Sequence, residues 1–558
     1  MLALLMVSLL VGQANVGRAA EQENRSAKQA AYFAEGTIAA WKKAGAEAGW
    51  LGMNDKIEME FAGEPERLNA AIPAFKLTKS LGDWLHDLPD PGVPFGLIIG
   101  DSIVTDAGIK DLARLPNLQS LILSKADVID ASLKDMVKLS KLQSLYLSGT
   151  SVKGSRWEEF TRHKHQHWSK VLSFEEPVAG IKDPAKLANL QTLALDGRYL
   201  TPAGMKALAT LTNLQTLDLS YSQLTDDVLK HLATLTNLQS LKLDSTRVST
   251  VGIKDLTTLT NLQALDLSET KLTDAGLKYL AKLSNLKSLW LDSTFVENAG
   301  LKYLATLTNL QTLDLSNTQL TDAGLKYLTT LTNLKSLRLR RTHVGDAGLK
   351  DLAKLTGLLS LDLSETLVGD AGMKDLAKLT NLQKLQLDRT QLTDAGLKDL
   401  ATLTNLKSLD LFRTRVTDAG LQDLARHTTL RELDLSETRV TEMGLKYLAT
   451  LTNLQTLHLS YTGVRDDGMK DLAKLTNLQK LDLSKNKVTD AGLKDLARLT
   501  NLKVLDFSEN IVTDAGLKEL ARLTNLKSVA FNTKHVTGRG LKELKAKLPG
   551  CASTYHYK

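Results

Sequence analysis

From Asn213 onward, one pattern of residues recurs every 24 positions without an insertion. Each unit contains L-x-x-L-x-L, whose alternating leucines predict a short strand with one buried face. It continues with D-A-G-L-K-x-L-A-x-L, whose spacing predicts a short amphipathic helix. One such unit cannot bury its own apolar face, so the units must stack and align their strands into a parallel sheet. The first leucine of the unit, position one, recurs in register at Leu118, Leu142, Leu190, Leu214 and Leu238 and on to Leu502 and Leu526.

The recurring L-x-x-L-x-L-x-x-[T/N]-x-[V/L]-T-D-A-G-L resembles the leucine-rich repeat family over roughly residues 94–548. In detail it is similar to the cysteine-containing subtype of F-box substrate receptors and to bacterial repeat proteins with threonine in place of that cysteine. The resemblance implies an α/β solenoid, or horseshoe, with a parallel β-sheet on the concave face and short α-helices on the convex face. It also implies that the threonine or asparagine after each strand is a ladder bonded to the backbone of neighbouring turns.

Three columns of the repeat are therefore predicted to be structural. Besides the ladder, the threonines before D-A-G-L are predicted helix N-caps, and the asparagine before position one is predicted to adopt the left-handed conformation. The ladder comprises Thr246, Thr270, Thr294, Thr318, Thr342, Thr366, Thr390, Thr414, Thr438, Thr462, Asn486 and Asn510. The caps are Thr273, Thr321, Thr393, Thr417 and Thr489, and the turn asparagines are Asn213, Asn237, Asn261 and Asn309.

The first twenty residues differ from the rest of the chain. Residues 1–20 contain an apolar run from Leu2 to Val11, which is too short to span a bilayer, followed by small residues. This pattern predicts a secretory signal peptide and an exported protein without stable membrane insertion. A misassigned start, an uncleaved anchor and a cytoplasmic location are the alternatives. Cys551 is the only cysteine, so the ends of the array cannot be sealed by an intrachain disulfide.

Residues 21–93 are predicted to be a helical cap for the first repeat. The stretch is rich in alanine and carries Trp41, Trp50 and Trp84, which supply large apolar surface. A turn-rich junction leads into the first predicted strand, Leu97 to Ile99. The array then occupies residues 94–548, and residues 549–558 form a C-terminal tail. No nucleophile motif, P-loop or dinucleotide fingerprint is found in the cap, so we expect no enzymatic activity and no cofactor.

The net charge of +7 comes largely from one column of helix lysines. Regular lysines beside aspartates favour a solvated convex face over a phosphate-binding stripe. The sequence also lacks the aromatic interleaving that stacks bases, so nucleic acid is not expected as a partner. The column comprises Lys230, Lys254, Lys278, Lys302, Lys326, Lys350, Lys374 and Lys398.

The repeat pattern fails between residues 153 and 187, although Leu142 and Leu190 stay 48 residues apart. This spacing predicts that one repeat slot is kept with its leucines lost. Within it, His163, His165 and His167 alternate and would share one face of a strand, which could hold a transition metal. A solvated irregular loop is the favoured interpretation, so no metal is assigned.

The residues between the strand leucines are predicted to form the concave surface. At position five, aspartate alternates with other residues through most of the array, from Asp218 and Lys242 to Asp482 and Asp506. Relief of repulsion between stacked carboxylates and duplication of a two-repeat unit explain the alternation as well as a selected binding surface does.

Exceptions to this pattern cluster in the middle repeats and define the predicted site. Exposed aromatic residues and arginines commonly anchor protein interfaces, so a protein ligand of acidic or mixed charge is expected there. The predicted partner-binding residues are Trp290, Phe295, Arg338, Arg340, Arg341, His343, Arg389, Phe412, Arg413 and Arg415.

The sequence thus predicts a noncatalytic scaffold that binds a protein ligand on the concave sheet. The F-box resemblance offers a ubiquitin-ligase substrate adaptor as an alternative, although no F-box-like segment precedes the repeats and a signal peptide contradicts it. A structural or carbohydrate-binding protein of the cell envelope is the other alternative. Glycan binding would call for more exposed aromatic residues than a chain with 5% aromatic residues offers.

Overall fold

The computed structural model describes most of the chain from residue 33 to residue 556. The predicted signal peptide, Trp84 and the three alternating histidines lie outside the described residues. By its contacts the chain divides into two compact units, Met1–Arg247 and Val248–Lys558. The described residues are 33–53, 59–63, 69–77, 85–100, 103–104, 111–112, 114–124, 127–129, 139, 141–148, 151–153, 189–195, 205–206, 208–532 and 535–556.

The first unit begins with one helix and a small antiparallel meander. Helix α1 spans Glu35–Lys43, and strand β1 (Ala46–Met53) pairs in antiparallel fashion with β2 (Met59–Ala62) and β3 (Asn69–Leu77). Among its described residues, the segment predicted as a helical cap therefore has more strand than helix. Because β3 pairs in parallel with the first repeat strand, the meander continues the repeat sheet. Its centre is aromatic: Trp41 is fully buried and stacks on Phe75 at 4.4 Å between ring centroids.

Seven strands of the first unit form a parallel series that starts at β3. In this series β4 pairs with β6, β6 with β8, β8 with β10, β10 with β11, and β11 with β12. A second sheet joins β5, β7 and β9. The bounds are β4 Phe95–Gly100, β5 Ile103–Val104, β6 Leu118–Ser124, β7 Asp127–Ile129, β8 Ser144–Ser148, β9 Ser151–Lys153, β10 Thr192–Leu195, β11 Thr216–Asp218 and β12 Ser240–Lys242. Helix α2 is Asp226–Leu229.

The prediction of a retained slot between residues 153 and 187 is wrong. Strand β8 pairs directly with β10, so Leu145 lies opposite Leu193 although the two are 48 residues apart in sequence. The sheet holds no strand between them. The 48-residue spacing is therefore one repeat with an insertion, and sequence spacing alone could not distinguish an insertion from a degenerate repeat.

Each strand of the second unit pairs in parallel with the next strand along the chain. Leu265, Leu289, Leu313 and Leu337 occupy equivalent places in successive strands, so the register is constant. The strands are β13 Ala264–Asp266, β14 Ser288–Trp290, β15 Thr312–Asp314, β16 Ser336–Arg338, β17 Ser360–Asp362, β18 Lys384–Gln386, β19 Ser408–Asp410, β20 Glu432–Asp434, β21 Thr456–His458, β22 Lys480–Asp482, β23 Val504–Asp506, β24 Ser528–Asn532 and β25 Ala552–His556.

A short helix follows most strands of the second unit. The helices are α3 Thr250–Ile253, α4 Asp274–Leu280, α5 Leu301–Leu304, α6 Asp322–Leu325, α7 Asp346–Leu352, α8 Met373–Leu376, α9 Asp394–Asp399, α10 Asp418–Leu424, α11 Leu445–Leu448, α12 Met469–Leu472, α13 Asp490–Leu496, α14 Asp514–Leu520 and α15 Gly538–Lys547. Among the described residues, no helix is long and apolar enough to cross a membrane.

The leucine pattern forms the core, as predicted. Leu217, Leu241 and Leu265 are fully buried, whereas Asp218, Lys242 and Asp266 beside them are only partly covered. Helix leucines such as Leu277 are fully buried as well. The lysines of the predicted convex column are all exposed. We call the sheet surface that carries the residues between the strand leucines the polar face.

The threonine column has a more local role than the family ladder implies. The hydroxyl of Thr318 donates to the carbonyl of Leu315 at 2.6 Å, within its own repeat. Among the described residues, the bonds between repeats in this column involve its two asparagines: Asn486 Oδ1 accepts the Thr462 hydroxyl at 3.0 Å, and Asn510 Nδ2 donates at 2.7 Å to the carbonyl of Leu483 in the preceding repeat. A threonine hydroxyl is too short to reach that carbonyl while it is bonded within its own turn.

The turn-asparagine prediction is wrong, and the cap prediction holds for four of the five threonines. Asn237 donates its side-chain amide to the carbonyl of Thr212 at 2.9 Å, which links two repeats without a left-handed backbone. The hydroxyls of Thr321, Thr393, Thr417 and Thr489 accept the N–H two residues on. That of Thr273 makes no such bond and pairs with Thr250 instead.

The aspartate and glycine of D-A-G-L are explained together by contacts between successive repeats. Asp394 accepts the N–H and the hydroxyl of Thr417, one repeat further on, at 2.8 and 2.6 Å. The same carboxylate lies so close to the next helix that a Cβ on Gly420 would stand 2.5 Å from Asp394 Oδ1. Glycine is therefore required one repeat after each such aspartate, and the pair locks neighbouring helices together.

Candidate functional site

Most aspartates of the polar face have a structural role. At position five, Asp266, Asp434 and Asp482 each accept the backbone N–H two residues further on at 2.8 to 2.9 Å, which closes the turn after the strand. Asp410 and Asp434 stand side by side in register, so relief of like-charge stacking does not fully explain the alternation. The regular aspartates therefore need no ligand to account for them, and the exceptions become the informative residues.

A second column, position eight, lies in the turn after the strand and is left-handed from Glu269 to Glu509. Its residues have φ between 51° and 58° without being glycine, among them Arg341, Glu365, Arg389, Arg413 and Glu437. Such a conformation is costly for a residue with a side chain and persists only where the surroundings fix it. Here the N–H of each residue donates to the next repeat, as Arg389 does to the carbonyl of Phe412 at 2.8 Å. The column thus presents charged side chains from a fixed backbone.

Arg338 breaks the pattern at position five. It lies at the end of β16, between Asp314 and Asp362 in register. Its Nη1 lies 3.1 Å from Asp314 Oδ2, and the aspartate is almost fully buried. The guanidinium itself remains partly exposed. Arg338 and Asp314 are thus paired across neighbouring strands.

Three further arginines converge on one carboxylate, Glu365. Arg340 Nε lies 3.2 Å from Glu365 Oε1, and Arg341 Nε lies 2.8 Å from Oε2. Arg389 Nη1 approaches the same Oε2 at 3.7 Å. Partial burial would raise the pKa of Glu365, but the hydrogen bonds from Arg341 and Arg340 outweigh it and lower that pKa. Glu365 thus holds both Arg340 and Arg341.

The group continues through Phe412 and Arg413 into the next repeats. The Arg389 guanidinium carbon lies 5.3 Å from the centroid of the Phe412 ring, within range of a cation–π contact. Arg413 Nε lies 3.5 Å from Glu437 Oε2. Arg415 is exposed and forms no ion pair within the described part of the chain. We call this group the arginine surface: Arg338, Arg340, Arg341, Arg389, Phe412, Arg413 and Arg415.

The remaining predicted residues lie apart from the arginine surface. Trp290 is partly buried at the end of β14, two strands before Arg338, which corresponds to about 10 Å by strand spacing. Phe295 is 62% exposed and pairs through its backbone with Thr273, and His343 is exposed and pairs similarly with Thr321. These three residues flank the arginine surface without a direct contact to it among the described residues.

An acidic stripe adjoins the arginine surface on the polar face, and its residues are Asp388, Asp410 and Asp434. Asp410 is partly buried, and burial, added to by Asp434 and other nearby carboxylates, raises its pKa to about 6. Burial also raises the pKa of Asp388. Further along, His458 Nδ1 lies 3.8 Å from Asp482 Oδ2, and bonding to Asp482 raises the pKa of His458. The face therefore combines both signs of charge.

Sequence reasoning missed Glu365, which organises the arginines. It also missed Leu367, a residue 53% exposed in the turn that follows Glu365. Glu365 could have been found, because it shares the 24-residue column of Arg341 and Arg389, and Leu367 lies two residues after it. The left-handed conformation of this column becomes evident only from the backbone. No group of three or more His, Cys, Asp or Glu in the described residues is arranged to hold a metal ion.

Comparison with known families identifies the repeats. A leucine-rich repeat region model matches residues 253–491, a leucine-rich repeat model matches residues 188–248, and a two-copy leucine-rich repeat model matches residues 476–519. No curated protein sequence matches the chain significantly.

Solved structures that are similar to this chain come from bacteria and plants. A leucine-rich repeat protein of Leptospira interrogans is 24% identical, covers 68% of this chain and 99% of its own, and has a TM-score of 0.51. An internalin from Listeria monocytogenes is 27% identical over 59% of this chain and 93% of its own, with a TM-score of 0.49. The Arabidopsis receptor kinase HAESA, solved with a peptide hormone and a co-receptor, is 18% identical over 80% and 76%, with a TM-score of 0.41. The likeness to the Leptospira protein shows a common fold.

Proposed function

Because the repeat array of this chain belongs to the leucine-rich repeat family, whose fold is generally a binding scaffold, we propose that the protein is a noncatalytic scaffold. It binds a protein ligand across the arginine surface and the adjoining polar face. We also propose that the repeats are of the cysteine-containing-like subtype, with threonine in place of its cysteine. Because the fold alone does not identify a ligand, the kind of ligand is inferred from the side chains of the arginine surface.

The observation that carries the proposal is the surplus of guanidinium N–H donors around Glu365. One carboxylate contacts three guanidinium groups, those of Arg340, Arg341 and Arg389. Each guanidinium has five N–H donors, and a single carboxylate cannot accept them all. The donors left over face solvent and are available to carboxylates of a partner. The acidic stripe beside them suits basic groups of the same partner, so a mixed-charge protein ligand fits best.

Preorganisation supports the same conclusion. The left-handed turns fix the backbone of Arg341, Arg389 and Arg413, and the contact with Phe412 restrains the Arg389 side chain. Holding side chains in place before binding reduces the entropy lost on association. Phe295 and Leu367 add exposed apolar area at the margin, where it can pack against a partner.

The proposal is tested by alanine substitution, measured as affinity for a partner captured with the mature chain. Arg338→Ala, Arg341→Ala and Trp290→Ala should each weaken binding by about 1 to 3 kcal/mol, as expected of interface anchors. Lys302→Ala and Lys398→Ala remove the same charge from exposed helix positions and should change little. The urea midpoint of each variant serves as the folding control.

Three outcomes would count against this function. Equal losses at arginine and lysine variants, abolished by moderate salt, would indicate nonspecific electrostatic attraction. Failure to retain any partner would favour the alternative of a structural protein of the cell envelope. Capture of ubiquitin-ligase components from the cytosol would favour the substrate-adaptor alternative.

A further inference from the structure

A polar groove of about 410 Å³ lies where the strands begin, whereas the arginine surface lies where they end. It spans four successive repeats and is built from residues that immediately precede the strands. Its lining is Lys407, Thr429, Arg431, Asn453, Gln455, Asn477 and Gln479. No aromatic side chain contributes, and the two cations stand at one end.

The groove coincides with a local departure from the repeat. Where most other units read Leu-Thr-Asn before position one, this unit has His427, Thr428 and Thr429. The standard asparagine, as at Asn453, donates to the threonine carbonyl of the preceding repeat at 2.9 Å. Thr429 makes the equivalent bond to Thr404 with its hydroxyl at 2.7 Å. Because threonine is the shorter residue, the replacement keeps the link between repeats and leaves space beside Arg431.

Neither cation of this groove, Arg431 or Lys407, has a counter-charge within residues 208–532. In its column, Lys407 donates to Gln383 Oε1 and Lys503 donates to Gln479 Oε1, each at 2.8 Å, so a cation is bonded to the glutamine of the preceding repeat. The residue that precedes Arg431 in the column is Lys407, another donor. Within residues 208–532, Arg431 forms no ion pair, and the neighbouring Glu432 accepts the Ser408 hydroxyl instead. Two adjacent like charges without an anion repel each other.

We infer that this groove binds an oxyanion, a carboxylate or a phosphate ester, held by Arg431 and Lys407. The planar guanidinium of Arg431 pairs with two oxygens at once, and Lys407 adds a point charge. Gln455 also lines the groove and has an amide N–H group as a further donor. This site is independent of the arginine surface and of the protein ligand proposed above.

The inference is tested by isothermal titration calorimetry of the full chain with inorganic phosphate and, separately, with succinate. Arg431→Gln restores the residue found at the same column position in neighbouring repeats, so the variant should fold normally. We expect it to weaken the tighter-binding probe by at least about tenfold, the effect of losing charge-assisted hydrogen bonds. Thr429→Asn should also weaken binding, because the longer side chain fills the groove.

The matched control is Lys527→Gln. Lys527 occupies the same column next to another cation, Lys503, but Asn525 is retained there. The control should bind within about twofold of the native chain, since only nonspecific attraction to the net charge is removed. Preference for phosphate or succinate identifies the kind of oxyanion and supports the inference either way. Absence of heat with both probes, or equal losses in Arg431→Gln and Lys527→Gln, would overturn it.

Discussion

Asp410→Asn should stabilise the folded chain at neutral pH. Burial, added to by Asp434, raises the pKa of Asp410 from 3.8 to about 6. Ionisation is therefore harder in the folded chain than in the unfolded chain. The protonated Asp410 carboxyl leaves the folded chain fully stable below about pH 4, and this stability is lost as the pH rises through about 6. The asparagine oxygen can still accept the N–H of Phe412, now bonded at 2.9 Å, so the substitution removes charge and keeps the turn.

The magnitude follows from the difference between the two pKa values. About two pKa units correspond to roughly 3 kcal/mol. Because the carboxyl is partly exposed, solvent screening reduces this figure, and we expect a gain of about 1 to 2 kcal/mol above pH 7. Urea denaturation followed by circular dichroism, repeated from pH 4 to pH 8, measures it as a rise in the midpoint.

Asp482→Asn is the matched control at the same column position, and its effect should have the opposite sign. Burial alone would raise the pKa of Asp482, but bonding to His458 and Ser484 outweighs burial and lowers that pKa. The ionised Asp482 carboxylate stabilises the folded chain above the pKa that it has in the unfolded chain, and this stabilisation is lost as the pH falls through its pKa in the folded chain. The Asp482→Asn variant should therefore be less stable than the native chain near pH 6. A gain for Asp410→Asn that is the same at pH 4 and pH 8, or a loss at pH 8, would refute the reasoning.

Three further predictions concern the fold and its processing. Leu313→Ala should cost roughly 2 to 5 kcal/mol, typical of a fully buried leucine, whereas Thr312→Ala on the polar face should cost well under 1 kcal/mol in the same denaturation experiment. Gly420→Ala should lower the urea midpoint, because its Cβ would stand 2.5 Å from Asp394 Oδ1. Adding Asp394→Ala should relieve part of that loss, so strictly additive effects would contradict the contact. Mass spectrometry of the native protein should find a new N-terminus between about residues 14 and 21, and an intact Met1 on cytosolic protein would contradict export.

The repeat array was predictable because its period fixes both the strand register and the buried face. Leu265, Leu289 and Leu313 align as expected since a slip by one residue would expose the whole leucine set. The three strands of the N-terminal meander were not predicted, because alanine-rich sequence favours helix and their pairing is a tertiary effect. The insertion between β8 and β10 was missed because it preserves the spacing of intact repeats.

For the candidate site, sequence located the arginines but not their arrangement. Arg338 and Asp314 were adjacent by strand register, so their pairing could be inferred. The convergence of Arg340, Arg341 and Arg389 on Glu365 depends on the left-handed turns, which no single residue type marks. In these turns arginine and glutamate stand where glycine or asparagine would be expected.

The most direct test of the binding proposal compares three immobilised chains side by side: the native chain, Arg389→Ala/Arg413→Ala, and Lys302→Ala/Lys398→Ala. Both variants lose two positive charges, so nonspecific attraction falls equally. Each chain is exposed to the envelope fraction of the native organism at 0.15 M salt, about the ionic strength at which exposed charges more than ~8 Å apart are screened. We predict that the native chain and the lysine variant retain the same protein partner and that the arginine variant does not. Equal retention by both variants would contradict binding at the arginine surface.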